Sequence, residues 1–156
     1  MATLIKVKKV ISEKELNKAF SIRFRVFVRE QGVPREIELD EDDERATHFV
    51  AYIHGKMVGT ARLVIRRRWA KIGRMAVLKR YRGKGVGKEL LTRSVGLARK
   101  KGAKGIFLHA QAPVVGFYEK RGFHCVGRVF VEAGIPHRKM VLKPEGLKAG
   151  ALTSRE

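Results

Sequence analysis

Apolar and polar residues follow two periods along this chain, and the period changes at short polar breaks. Segments that alternate with a period of two and are rich in β-branched residues predict strands. Segments whose apolar residues recur three and four positions apart predict helices. The predicted strands are residues 4–10, 47–53, 57–67, 70–78, 105–110, 123–131 and 137–143, and the predicted helices are residues 12–32, 85–101 and 113–122.

Residues typical of helix boundaries support these elements. Ser12 followed by Glu15 has the pattern of a capping box, and Gly32 ends the apolar periodicity of the first helix. Gly102 lies just past the second helix, which has one apolar face. The order β-α-β-β-β-α-β-α-β-β predicts an α/β (mixed α+β) fold, with one mixed, mostly antiparallel sheet of about seven strands and helices on both faces.

Length and composition limit the class of protein. The 156 residues suggest one domain spanning 1–156, with residues 143–156 as a flexible tail. No apolar run is long enough to cross a membrane, and the run near the N-terminus is too short for a signal peptide. The single cysteine, Cys125, excludes an internal disulfide, so we expect a cytoplasmic protein.

The net charge of +20 is unevenly distributed. Residues 1–44 hold 9 Lys and Arg against 10 Asp and Glu, whereas residues 45–156 hold 26 against 5. A field of this sign attracts phosphate groups, whether on a cofactor or on nucleic acid. Asn and Gln are scarce, with one Asn and two Gln, which is a bias reported for heat-adapted proteins.

A glycine-rich, basic stretch, RYRGKGVGKELL at 80–91, follows a predicted strand and opens a predicted helix. It is not a P-loop, because Arg82 and Glu89 stand where that motif needs Gly and Ser or Thr. It is not a dinucleotide fingerprint, because Lys88 and Leu90 stand where a Gly is needed. Glycines that let the backbone approach, basic side chains and a helix N-terminus nevertheless indicate a phosphate site.

The hexapeptide at 82–87, RGKGVG, resembles the pyrophosphate loop of the GCN5-related N-acetyltransferases (GNAT), which has the pattern [Q/R]-x-x-G-x-[G/A]. The resemblance extends over roughly residues 4–143. Three segments, FRVFVREQGVP (24–34), HAQAPVVGFYEKRGF (109–123) and FVEAGIPHRKM (130–140), resemble the ElaA/YjcF-like branch more narrowly. The resemblance implies an acetyl-CoA-dependent N-acetyltransferase acting directly on a primary amine, in a fold whose sheet splays at its central strands.

The resemblance also implies roles for particular residues. Met75 and Val77 would lend backbone groups to the pantetheine arm of acetyl-CoA. Tyr118, in the pattern F-Y-x-x-x-G-F, would donate a proton to the departing thiolate, or else would simply pack on a helix face. The implied cofactor-binding set is Met75, Val77, Arg82, Gly83, Lys84, Gly85, Val86, Gly87, Gln111 and Tyr118.

The general base stays open among three candidates, Glu30, Glu132 and His137. Glu132 and His137 flank a predicted turn, and Glu30 ends the first helix, where family members often bind substrate. Each also has an ordinary structural interpretation, as a solvated helix end, a strand-edge charge or a packed residue. The acidic run at 36–44 is either a funnel for a cationic amine or, as we prefer, a solvated loop that balances a basic surface.

Two other functions stay open. A nucleic-acid-binding module is suggested by the net charge and by the three arginines at 66–68, but no binding motif is recognised. A non-catalytic acetyl-CoA sensor of the same fold is the other, and the intact Tyr118 argues against it. We expect no metal site, because the five histidines lack metal-ligand spacing. We also expect no specific nucleic acid partner and no membrane partner. A homodimer is a candidate assembly.

Overall fold

The structure is a computed structural model that describes residues 4–144, so most of the predicted tail at 143–156 lies outside the described residues. Its strands are β1 (Ile5–Lys9), β2 (Thr47–Ile53), β3 (Lys56–Arg66), β4 (Trp69–Val77), β5 (Gly105–Gln111), β6 (Phe123–Glu132) and β7 (Ile135–Leu142). Its α-helices are α1 (Glu13–Arg23), α2 (Arg35–Glu38), α3 (Asp42–Arg45), α4 (Val86–Lys100) and α5 (Val115–Glu119). Within residues 4–144, none of the helices has the length and apolar character needed to span a bilayer.

The seven strands form one sheet in the order β1-β2-β3-β4-β5-β7-β6, which confirms the predicted mixed α/β fold. The pairs β1–β2, β2–β3, β5–β7 and β6–β7 are antiparallel. The chain divides into two compact units, the first reaching through Val64 and including Ile72–Ser94, the second containing Ile65–Lys71 and the chain from Val95 onward. A single domain over 1–156 stays a prediction.

The core of the first unit lies between α1 and the strands that precede the glycine-rich stretch. Its buried cluster consists of Ala19, Ile22, Val26, Val50, Met57, Ala76 and Leu78. The first turns of α4 pack closely on β3, because a Cβ built at Gly59 would lie 2.9 Å from Val86 and 3.2 Å from Leu90. The glycine therefore lets α4, the helix that follows the predicted phosphate loop, pack against the sheet.

The first predicted helix changes its geometry halfway. Ser12 caps α1 as expected, since its hydroxyl accepts the Glu15 N–H at 3.1 Å. The α-helix ends at Arg23, however, and Phe24–Glu30 forms a π-helix, in which the Gln31 N–H donates to the Val26 carbonyl at 3.2 Å. The apolar spacing did not predict this change, because residues four apart stay on nearly the same side in both geometries.

The acidic run at 36–44 is only partly the solvated loop that we expected, because four of its acids are exposed and Glu38 is buried. Glu38, at 1% side-chain exposure, pairs with the equally buried Arg23 at 2.9 Å and with Arg74 at 2.8 Å. Asp43 pairs with Arg23 at 2.7 Å. Burial alone would raise the pKa of Asp43, but the hydrogen bonds and charge of Arg23, with help from Arg62, bring that pKa to about 2.

The sheet of the second unit has two different faces, which the antiparallel register defines. Leu108 pairs with Met140, and both are buried. His109 pairs with Lys139 on the opposite face, which is more exposed.

The third predicted helix is shorter than 113–122, because Ala112–Val114 forms a 3-10 turn before α5 begins.

Candidate active site

The loop before α4 has the backbone geometry of an anion site. Gly83 and Gly85 have φ of 77° and 93°, in the left-handed region that favours glycine. Successive turns of this kind direct backbone N–H groups to one side, and the first N–H groups of a helix have no partner within it. Arg82, Lys84 and Lys88 add exposed positive charge, so the loop fits a diphosphate.

Arg82 is already engaged within the first unit. Its Nε donates to the Val77 carbonyl at 2.8 Å, and its Nη2 donates to both carboxylate oxygens of Glu30, at 2.9 and 3.2 Å. Glu30, one candidate base, therefore lies at the loop and neutralises its first cation. Both side chains are part-exposed, at 42% for Arg82 and 31% for Glu30, so water weakens this pair.

Strand β4 carries backbone strain next to the proposed pantetheine positions. Arg74 has φ of 50°, which is uncommon for a residue other than glycine. Its guanidinium donates to the Glu38 carboxylate at 2.8 Å and to the Glu38 carbonyl at 3.1 Å, which holds this conformation. Met75 and Val77 follow it and are partly buried.

Tyr118 lies on α5 in the second unit and is 9% exposed. Its ring meets Phe117 and Phe123 edge-on, with centroids 5.0 and 6.0 Å away. Burial raises the pKa of Tyr118 to about 12, although the nearby charge of Arg121 opposes the shift. The hydroxyl therefore keeps its proton at neutral pH, which suits a donor.

Glu132, another candidate base, is bound to a histidine. The His109 Nδ1 lies 2.9 Å from the Glu132 carboxylate. The hydrogen bond from His109 lowers the pKa of Glu132 to about 2 and outweighs the effect of burial. A carboxylate with this pKa is a weak base, and because it can only accept, it fixes the proton of His109 on Nδ1.

His137, the third candidate, lies on the same face of the sheet as His109 and Glu132. It is 7% exposed, and its Nδ1 donates to the Ile135 carbonyl at 2.6 Å. Its ring stacks on Phe130, whose other neighbour is His109 at 4.9 Å. Gln111 pairs with His137 in the strand register, so β5, β6 and β7 together present a face of histidine and aromatic side chains.

His109 is the residue of this cluster that sequence reasoning did not select. Its partner Glu132 is 23 positions away, and the two meet only because β7 lies between β5 and β6. One signal was available, because in the predicted strand 105–110 the polar His109 occupies the same alternate positions as Phe107. That alternation marks a face open to solvent but does not identify the partner.

Comparison with known sequences agrees with this geometry. The family model for the acetyltransferase (GNAT) domain matches residues 7–144. The uncharacterized N-acetyltransferase YjcF of Bacillus subtilis (strain 168) is 39% identical over 131 residues, which cover 83% of this chain and 94% of YjcF. Protein ElaA of Escherichia coli (strain K12) is 31% identical over 133 residues, which cover 81% of this chain and 86% of ElaA.

Solved structures agree as well. The crystal structure of Escherichia coli ElaA matches with a TM-score of 0.80 at 27% identity, covering 90% of this chain and 100% of that chain. A GNAT family acetyltransferase from Elizabethkingia anophelis with acetyl-CoA bound matches in fold, with a TM-score of 0.68 at 16% identity over 88% of this chain and 94% of that chain. This chain therefore belongs to the GNAT acetyltransferases, in the branch that contains ElaA and YjcF.

Proposed function

We propose that this protein is an acetyl-CoA-dependent N-acetyltransferase that transfers an acetyl group to a primary amine within a ternary complex. One observation carries the proposal: Gly83 and Gly85 are left-handed, and they lie between basic side chains at the start of α4. We assign the diphosphate of acetyl-CoA to this loop, Arg82–Gly87. We assign the backbone of Met75 and Val77 to the pantetheine arm and Gln111 to the cofactor-binding set, on the family resemblance.

Acetyl-CoA supplies an acetyl group activated as a thioester. Transfer forms a C–N bond and breaks a C–S bond, so one proton must leave the amine and another must reach the sulfur. We assign the second step to Tyr118, whose pKa of about 12 keeps the hydroxyl protonated. A donor aimed at the developing thiolate lowers the barrier rather than tightening substrate binding.

We propose that His109 removes the proton from the amine and that Glu132 positions His109. Glu132 holds Nδ1–H, which leaves the lone pair of Nε2 as the proton acceptor. The His109 side chain is 23% exposed, so a substrate can reach it, whereas His137 is only 7% exposed.

The direct test combines binding with turnover. Isothermal titration with acetyl-CoA and thermal shift should both show binding, with a stabilisation of about 2.7 kcal/mol at a hundredfold excess over Kd. Release of free thiol should then be followed across a panel of primary amines. Absence of binding at millimolar acetyl-CoA would sink the proposal, and binding without thiol release from any amine would favour the sensor.

Tyr118→Phe is expected to lower kcat by about tenfold to a thousandfold while leaving acetyl-CoA affinity unchanged, because it removes one donor to the thiolate. The measurement is kcat with the best amine alongside Kd for acetyl-CoA. Phe117→Leu, at the neighbouring position, is the packing control and should affect stability more than kcat. Full kcat in Tyr118→Phe would remove Tyr118 from the mechanism.

His109→Gln is expected to remove the rise of kcat/KM with pH, since that rise reports the base of the free enzyme. Glu132→Gln should lower kcat/KM, because an amide, unlike a carboxylate, does not fix the His109 proton on Nδ1. His124→Gln, at an exposed position of β6, is the matched control and should keep the parent profile. A parent-like profile in His109→Gln would pass the role to His137 or Glu30.

We propose that the protein has no specific nucleic acid partner, and the pairing of its arginines supports this. Arg23, Arg62 and Arg74 are consumed in ion pairs with Glu38, Asp40 and Asp43, so part of the basic charge is not available to phosphates of a duplex. Cytoplasmic location and a homodimer also stay predictions.

A further inference from the structure

A pocket of about 500 Å³ opens in the first unit beside the π-helix. Its lining residues are Ser21, Ile22, Phe24, Arg25, Val28, Arg29, Arg35 and Leu78. Ile22 and Leu78 are buried, at 7% and 8% exposure, and form an apolar floor. The three arginines are exposed and form a cationic rim.

The rim arginines differ from the other arginines around them. Arg23, Arg62, Arg74 and Arg82 are each held by carboxylates. Within residues 4–144, by contrast, no carboxylate pairs with the three rim arginines, and Arg35 only lies over the Phe24 ring, 5.5 Å from its centroid. The lining residues also include no acidic side chain.

The π-helix determines how these side chains are presented. Arg25 and Arg29, like Phe24 and Val28, are four positions apart within Phe24–Glu30, so each pair projects to a similar side. π-helical turns are rare, and they occur frequently at functional sites, where they alter the presentation of side chains. Here the result is two guanidinium groups beside an apolar wall.

The distribution of charge in the first unit indicates which class of acceptor the pocket favours. Three acids of the run that could have attracted a cationic amine, Glu38, Asp40 and Asp43, are paired with Arg23, Arg62 and Arg74. The open charges at the pocket are all positive, and guanidinium groups bind carboxylate and phosphate oxygens through paired hydrogen bonds. A simple cationic polyamine would be repelled from this rim, whereas an anion would be attracted.

We propose that this arginine pocket binds an anionic group of the acceptor, so that the acceptor is an amine that also carries a carboxylate or phosphate beside a small apolar body. The proposal rests on the transferase function proposed above. Phe24, Val28 and the buried floor contact the apolar body, and Arg25, Arg29 and Arg35 bind the anion. Whether the anion is a carboxylate or a phosphate is decided by the choice of probes below.

A binding experiment tests the pocket without any turnover. Phenylacetate, which has the anion and the apolar body but no amine, is titrated into the protein saturated with CoA, and the arginine Nε–Hε resonances are followed by NMR. Saturable shifts of Arg25, Arg29 and Arg35 are expected, with none from benzylamine. Inorganic phosphate provides the second anion arm. No saturable shift of these three resonances from either anion would overturn the proposal.

A turnover experiment tests the substrate class. Matched acceptors differ only in the anion: phenylalanine against phenethylamine, and O-phosphoethanolamine against ethanolamine. We expect at least about a tenfold higher kcat/KM for the anionic member of one pair, which is the effect of one or two charge-assisted hydrogen bonds. The pair that shows the preference identifies carboxylate or phosphate, and a preference for the neutral member in both pairs would overturn the proposal.

Variants connect the preference to the pocket. Arg25→Gln with Arg29→Gln should raise KM for the anionic acceptor about tenfold or more and leave the neutral acceptor unchanged. Arg45→Gln, an exposed arginine outside the pocket, is the control. If the double variant instead weakens acetyl-CoA binding, the pocket serves the cofactor phosphates and the proposal is wrong. If no amine turns over, the transferase function fails, and the phenylacetate and phosphate titrations still decide the pocket.

Discussion

Replacing Gly85 by aspartate is expected to lower acetyl-CoA affinity by about a hundredfold or more, which corresponds to roughly 2.7 kcal/mol. Gly85 has φ of 93°, a conformation that a residue with a Cβ rarely adopts. The added carboxylate would also lie where the loop is proposed to hold the diphosphate, so it would repel the ligand. The measurement is Kd by isothermal titration.

Two further variants separate the causes of this loss. Gly85→Ala introduces the backbone strain without the charge, and its Cβ would meet only Ile5, at 3.7 Å. Gly96→Asp makes the same substitution at an exposed position of α4 where a Cβ meets nothing within 4 Å. We expect an intermediate Kd for the first and the parent Kd for the second. Parent-like binding by Gly85→Asp would show that the loop was misassigned.

Replacing Arg23 by methionine is expected to lower the free energy of unfolding by about 3 kcal/mol, because Glu38 and Asp43 stay buried while each loses one of its two arginine partners. Arg23 and Glu38 are each 1% exposed, and Asp43 is 8% exposed. The measurement is urea unfolding, with Lys18→Met on the exposed side of α1 as the control, where a change within about 0.5 kcal/mol is expected. Equal stability of the two variants would contradict a structural role for this cluster.

The same cluster should make stability depend on pH at the acid end. The pKa of Asp43 is about 2 in the folded protein, below its ordinary value of 3.8. Because the folded pKa is depressed, this contribution is fully present above about pH 4 and is lost as pH falls toward about 2. In Arg23→Met the pKa of Asp43 should rise, so the acid-induced loss should become smaller, and Asp43→Asn in that background should restore part of the stability.

The local elements of the fold were predictable because each depends on neighbouring residues. The Ser12 cap of α1, the strands on either side of the turn at His54 and the start of α4 follow from contacts between residues close in sequence. The π-helix at Phe24–Glu30 was not predictable in this way. Its apolar positions fit an α-helix equally well, and the difference lies in which carbonyl each N–H group finds.

The residues of the candidate site also differ in whether they are close in sequence or are brought together only by the fold. The loop from Arg82 to Gly87 is contiguous, so its glycine spacing and charge could be interpreted before any fold was known. The pairing of His109 with Glu132 could not, because it needs the order in which β5, β7 and β6 adjoin. The ion pairs of Glu38 and Asp40 were missed for a related reason, since their arginine partners are distributed over α1, β3 and β4.

The sequence by itself determined the strand and helix order, the GNAT resemblance and the phosphate-loop hypothesis, because periodicity, caps and glycine placement act over a few residues. The tertiary structure decided which charges are used within the protein and which stay open to a ligand. Arg23 is buried in ion pairs, whereas Arg25, two positions away, lines an open pocket. Their side chains have the same chemistry, and only the burial and the long-range partners of each position distinguish a structural cation from a candidate binding one.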